Sequence, residues 1–120
     1  MSTLGILTSS DLGARGLRED TSGHLFKETL QAAGFDVRRY EIVSDEHQII
    51  EERLRRWADE DGLDLIVTTG GTGLTSRDVT PEATLAVVQR QVPGMAEAMR
   101  TETLKNTPLA MISRSVVGIR

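Results

Sequence analysis

The chain has 120 residues, 38% hydrophobic and 27% charged, the size and composition of one globular domain with a modest core. Its formal net charge of −4 and pI near 5.2 supply no basic face for nucleic acid or an acidic membrane. With no cysteines it has neither disulfides nor thiolate metal sites, which fits a cytoplasmic protein, and no apolar run approaches the ~18 residues of a membrane span.

The N-terminus enters a strand at once: Thr3 to Thr8 is short, apolar and expected to be central in a sheet, with no basic leader before it. Ser9 to Asp20 is polar, contains Gly13 and Gly16, and reads as a long loop of the kind that is often functional. Asp20-Thr21-Ser22-Gly23 offers caps for a helix to about Ala33, where Phe26, Leu30 and Ala33 share a face. Gly34 then sits where a C-terminal glycine belongs. Phe35 to Val43 reads as a second strand.

Asp45 with Gln48 has the outline of a capping box for a helix to about Glu60. In that helix Ile50, Leu54 and Trp57 form an apolar stripe, and Glu51, Glu52, Arg53, Arg55 and Arg56 crowd the other side. Gly62 ends it, and Leu63 to Thr69 reads as a buried strand. The two histidines, His24 and His47, are not spaced like a zinc pair and read as helix-surface residues.

Gly70 to Thr80, GGTGLTSRDVT, then joins the end of that strand to the start of another helix. In open α/β sheets ligands bind beyond the carboxyl ends of the strands. Gly70, Gly71 and Gly73 permit positive φ and close approach of the backbone to a ligand. Successive amides in such a turn form an anion cradle, and a helix N-terminus adds partial positive charge. Thr72, Thr75 and Ser76 supply hydroxyls and Arg77 a planar cation suited to phosphate. Asp78 suits such a site if a hard cation such as Mg2+ bridges it to phosphate; the plainer alternative is that Asp78 caps a turn. Thr80, Pro81 and Glu82 have the signature of a helix start, with Thr80 as N-cap.

That helix is expected over about 81–90 and a further one over about 94–105, with Met95, Ala98, Met99 and Leu104 as its buried stripe. Leu109 to Ile112 and Val116 to Ile119 read as short extended segments, a candidate hairpin. The alternation of strands and helices predicts a three-layer α/β fold with a mainly parallel sheet and helices on both faces, residues 1–120 being a single domain. The apolar run before Arg120 is an unpaired edge, expected to be covered by another subunit or a longer chain.

The stretches Thr68-Thr69-Gly70-Gly71-Thr72-Gly73, Arg77-Asp78-Val79-Thr80-Pro81-Glu82 and Pro93-Gly94-Met95-Ala96-Glu97 together carry a resemblance. So do Ser10-Asp11, Asp20-Thr21-Ser22-Gly23, Val43-Ser44-Asp45-Glu46, Ser113-Arg114 and Val117-Gly118-Ile119-Arg120. The chain resembles the molybdenum-cofactor biosynthesis family of molybdopterin adenylyltransferases and molybdopterin-binding domains, which includes the N-terminal domain of gephyrin.

The resemblance implies a cytoplasmic homotrimer or hexamer that binds ATP with Mg2+ and transfers AMP to the molybdopterin phosphate, releasing pyrophosphate. The product passes to a molybdenum-insertion enzyme. It implies catalytic and metal-holding roles for Asp45 and Asp78. It also implies a substrate pocket from Gly70, Gly71, Thr72 and Gly73 and from the Asp20–Gly23 stretch, with Asp20, Ser22 and Gly23. The matching Ser10, Asp11, Arg77, Thr80, Pro81 and Glu82 are candidates for the same pocket. Leu12 stands where relatives often carry a basic residue, and the family's usual C-terminal strand, Asn-Leu-Pro-Gly-Ser-Pro loop and closing helix are expected to be lacking. A non-catalytic molybdopterin-binding or oligomeric scaffold of the same fold is the alternative. A generic nucleotide-binding protein is weaker, because the glycine loop lacks the Gly-Lys-Ser/Thr ending of a P-loop.

Overall fold

The computed structural model describes all 120 residues. In chain order the elements are β1 (Thr3–Ser9), α1 (Asp11–Ala14), α2 (Thr21–Ala32), β2 (Asp36–Val43), α3 (His47–Asp59), β3 (Leu65–Thr69), α4 (Thr80–Val87), β4 (Arg90–Gln91), α5 (Pro93–Leu104), a 3-10 helix (Pro108–Ile112) and β5 (Gly118–Ile119). The main sheet is parallel, in the order β2-β1-β3. Ser9 stands opposite Val43, and Thr8 opposite Thr69, so the carboxyl ends of all three strands open to the same side.

β1 is central because it is apolar on both faces: Leu4, Ile6 and Leu7 are among the most deeply buried side chains. Gly5 lets α3 lie close, since a Cβ there would stand 2.8 Å from Leu63 and 2.9 Å from the Trp57 ring. Leu7, Val43, Ile50, Leu54, Trp57, Ala83 and Val87 form the core on that face, which α3 and α4 cover. On the other face α2 packs against β1 and β2. Helices therefore cover both faces.

Several expectations need correction. The 9–20 segment is not loop throughout, since Ser10 caps the short α1 by accepting from the Gly13 amide at 3.0 Å. β3 is half-buried rather than buried, because it pairs only with β1 and leaves its outer edge open. Leu109–Ile112 is not extended: the Thr107 hydroxyl accepts from the Leu109 amide and starts a 3-10 helix with Pro108 in its first turn. The terminal run lies away from the main sheet, with β5 pairing antiparallel to β4. Arg120 anchors that end, donating to Asp59 at 2.9 and 2.7 Å and to the Val87 carbonyl at 2.8 Å. Finally, Met95 and Met99 are 57% and 52% exposed and Leu104 is exposed too, so the stripe of α5 is not core. α5 packs on the 3-10 helix and buries Ala96 instead.

Candidate functional site

The carboxyl ends of β1 and β3, the segment after β2 and the start of α2 enclose a cleft of about 390 Å³ with no hydrophobic residue in its lining. β1 contributes Thr8 and Ser9, followed by Ser10; the approach to α2 contributes Arg18, Glu19 and Asp20; β3 leads into Gly70 and Gly71. Asp45 and Asp78 both face this cleft. The sheet joins what the sequence separates.

Asp45 is not a helix cap. Glu46 occupies that position, without a side-chain capping bond. Asp45 instead points back across the strand ends, where it accepts from the buried Ser9 hydroxyl and, through Oδ2, from the Asp11 amide at 3.0 Å. Its own amide donates to Asp11 Oδ1 at 2.9 Å. The Ser10 amide also donates to the Val43 carbonyl at 2.8 Å, so the loops after β1 and β2 are sewn together.

Asp78 is held locally. Its Oδ2 accepts from the Thr75 amide at 3.0 Å and the Thr75 hydroxyl at 2.8 Å, closing a tight turn. Arg114 fixes the turn from behind, donating to the Gly73 carbonyl at 2.7 Å, the Asp78 carbonyl at 2.6 Å and the Glu82 carboxylate at 2.9 and 3.1 Å. The Arg114 hydrogen bond is the chief reason that the Glu82 carboxyl lies below its usual range.

Gly70 and Gly71 have φ of 88° and 71°, the left-handed region that the sequence anticipates. A Cβ would stand 2.3 Å from the Ser9 carbonyl at Gly70 and 2.3 Å from Thr80 Oγ1 at Gly71. These glycines are thus required by packing within the protein as well as by the turn. Gly73 has no positive φ.

The remaining expected site residues divide. Asp20 and Ser22 line the cleft with Ser10, while Thr72, Gly73, Asp11, Gly23, Arg77, Thr80, Pro81 and Glu82 do not. Thr80 is buried and lies inside α4, Val79 being the cap; its hydroxyl donates to the Gly70 carbonyl at 2.9 Å, which closes the loop on itself. Arg77 forms a two-pronged ion pair with Asp11, Nε at 3.1 Å and Nη2 at 2.8 Å. The Arg77 contact, then the Asp45 amide, hold the Asp11 carboxyl below its usual range. Gly23 is buried, and its amide donates to Asp20 at 3.1 Å.

Asp20 is the best-satisfied acid of the cleft, accepting from the Tyr40 hydroxyl, from Thr8 at 2.7 Å and from that amide. Burial pushes its carboxyl up, but these three donors outweigh burial and hold it below the usual range. Burial and the adjacent carboxylate push the Tyr40 hydroxyl well above its ordinary value.

Sequence reasoning missed Thr8, Ser9, Arg18, Glu19 and Thr69 as lining residues, whereas Thr21 belongs to the expected Asp20–Gly23 stretch. For Thr8, Ser9 and Thr69 a signal was present: they end strands that open toward a switch point.

A glycine turn facing acidic side chains at the carboxyl end of a parallel sheet defines a ligand-binding α/β domain. Residues 5–119 match the model of a probable molybdopterin binding domain, and the chain belongs to that family. It is 45% identical to the molybdopterin adenylyltransferase of Helicobacter pylori over 98% of its length, covering 68% of that protein. It is 41% identical to the molybdopterin adenylyltransferase of Escherichia coli K12, again over 98% of its length, and spans 61% of it. The crystal structure of the molybdopterin biosynthesis enzyme MoaB of Thermus thermophilus superposes with a TM-score of 0.91 at 54% identity, over all of this chain and 76% of that one.

Proposed function

We propose that this chain transfers AMP from ATP to the terminal phosphate of molybdopterin, releasing pyrophosphate, with Asp45 and Asp78 as the residues that hold Mg2+. The observation that carries this reading is that the two carboxylates, 33 residues apart in sequence, share one cleft with the Gly70–Gly71 turn. The nucleophile is a phosphate already ionised at neutral pH, so the site needs alignment and charge neutralisation rather than a strong base.

The lining fits a magnesium-bound polyphosphate. Its side chains offer carboxylate and hydroxyl oxygens, with no histidine or sulfur and with Arg18 as the only cation. No three acidic or histidine side chains converge as an all-protein cage. Mg2+ bound through one or two carboxylates and the substrate's phosphates agrees with both facts, and it would neutralise charge at the attacked phosphorus. Residues 1–120 would act as one molybdopterin-binding unit, and the exposed Met95–Met99 face supports assembly as a homotrimer or hexamer. No helix is long and apolar enough to cross a membrane.

Incubation with molybdopterin, ATP and Mg2+ should release pyrophosphate, and Asp78→Asn should sharply reduce release without unfolding the protein. Molybdopterin binding with no pyrophosphate from the unaltered chain would favour the scaffold reading instead.

A further inference from the structure

Arg77 stands next to Asp78 on the glycine loop, yet it does not line the cleft. Its guanidinium grips Asp11, 66 residues earlier, through two bonds of 3.1 and 2.8 Å. Asp11 in turn exchanges two bonds with Asp45, accepting from its amide and donating its own amide to Asp45 Oδ2. A continuous path therefore runs from the residue beside one cleft carboxylate, across the end of β1, to the other carboxylate.

The geometry points to Arg77 and Asp11 as positioning residues that set the spacing of Asp78 relative to Asp45. This rests on the reading that those two acids hold Mg2+ and phosphate. Three features favour positioning over direct phosphate contact. The guanidinium fork is already matched to a carboxylate, the partner for which its planar geometry is best suited. Asp11 uses both oxygens on Arg77 and one of them also on the Asp45 amide, which leaves it committed to the bridge. The contrast with Arg18 is direct, since Arg18 lines the cleft and forms no ion pair or side-chain hydrogen bond. The cleft's free cation and its bracing cation are different residues.

Because Arg77 is more than half exposed, its pair with Asp11 adds little to global stability. Its loss should appear in the alignment of the site instead, where a displacement of about 1 Å costs on the order of 100-fold in rate.

The test uses Arg77→Ala and Asp11→Asn, with Arg38→Ala as a control that removes a surface ion pair with Asp36. The first measurement is amide hydrogen exchange, which needs no substrate. Arg77→Ala should accelerate exchange at the Asp11 and Asp45 amides and leave the melting temperature near that of the control. Unchanged exchange at Asp45 overturns the proposal. The second measurement is calorimetric binding of ATP with and without Mg2+. Both variants should lose the gain in affinity that Mg2+ confers on the unaltered protein, while Mg2+-free binding stays within about threefold. If Arg77→Ala abolishes Mg2+-free ATP binding and Asp11→Asn does not, Arg77 is a phosphate ligand and the proposal fails. If the unaltered protein shows no gain with Mg2+, the metal reading fails, and the exchange measurement still decides whether the bridge exists.

Discussion

Asp45 and Asp78 face one cleft but are held by different kinds of structure. Both partners of the Asp45 side chain, Ser9 at the end of β1 and Asp11 at the start of α1, lie more than 30 residues away. Its orientation therefore exists only when β1 and β2 are paired in register. The Asp78 side chain is satisfied by Thr75, three residues earlier, inside a single turn. Longer-range support reaches it through the backbone, where Arg114 grips the Asp78 carbonyl. One acid is fixed by the fold and the other by a loop that the fold steadies from outside. The former should be rigid, and the latter free to adjust as ligand enters.

Substitution tests the contrast. The largest effect is expected from removing either charge: Asp45→Asn and Asp78→Asn should each lower the rate of pyrophosphate release by about 100- to 1000-fold, as for loss of a preorganised electrostatic contact. The two should part in denaturant. Asp45→Asn loses one of its acceptors and leaves a Ser9 or Asp11 donor unsatisfied, at about 1–3 kcal/mol. Asp78→Asn should unfold at nearly the same urea concentration as the parent. Equal destabilisation by both would remove the distinction.

Next in size is Ser9→Ala, which frees one Asp45 oxygen; it should reduce turnover by about tenfold, in proportion to a lost hydrogen bond to a charged group. Thr75→Val keeps the amide donor and removes only the hydroxyl, so its effect on turnover should be smaller than that of Ser9→Ala. If Thr75→Val proves the more damaging, the local turn is the more demanding of the two supports.

The smallest effect concerns pH and the third cleft acid. The lowered Asp20 carboxyl stabilises the fold above its ordinary value of 3.8, and that contribution disappears as pH falls through the lower folded value. The raised Tyr40 hydroxyl acts in the opposite limb: its contribution is complete below 10.0 and is lost as pH rises beyond it. Tyr40→Phe should flatten the stability profile at both extremes and leave it flat in between, as followed by melting temperature from pH 3 to pH 11.

Much of the fold could be read in the sequence because its signals are local and repeated. The stripe of Ile50, Leu54 and Trp57 is buried at the anticipated phase, and β1 is central as its apolar character requires. α5 shows where this logic stops. Periodicity reveals that a stripe exists, but what covers it is decided by neighbours, and the Met95–Met99 stripe faces outward. Hydroxyl and carboxylate side chains were ambiguous for a related reason. Thr80 and Asp45 both stand where caps belong, yet Thr80 is drawn to the Gly70 carbonyl as the loop closes, and Asp45 to the Asp11 amide that the sheet brings near. The cleft acids themselves were legible from their motifs. The bridge through Asp11 and Arg77 was not, because no local pattern marks an ion pair 66 residues long.

The tryptophan that lies on Gly5 has a practical consequence at the bench. It is the sole indole of the chain and only 1% exposed, at the half of β1 remote from Ser9 and the loops that follow it. Its emission therefore reports whether α3 is docked on the sheet and is blind to events among the acidic side chains. Ligand titrations followed by intrinsic fluorescence should stay silent even at saturation, whereas the same signal should trace global melting cleanly.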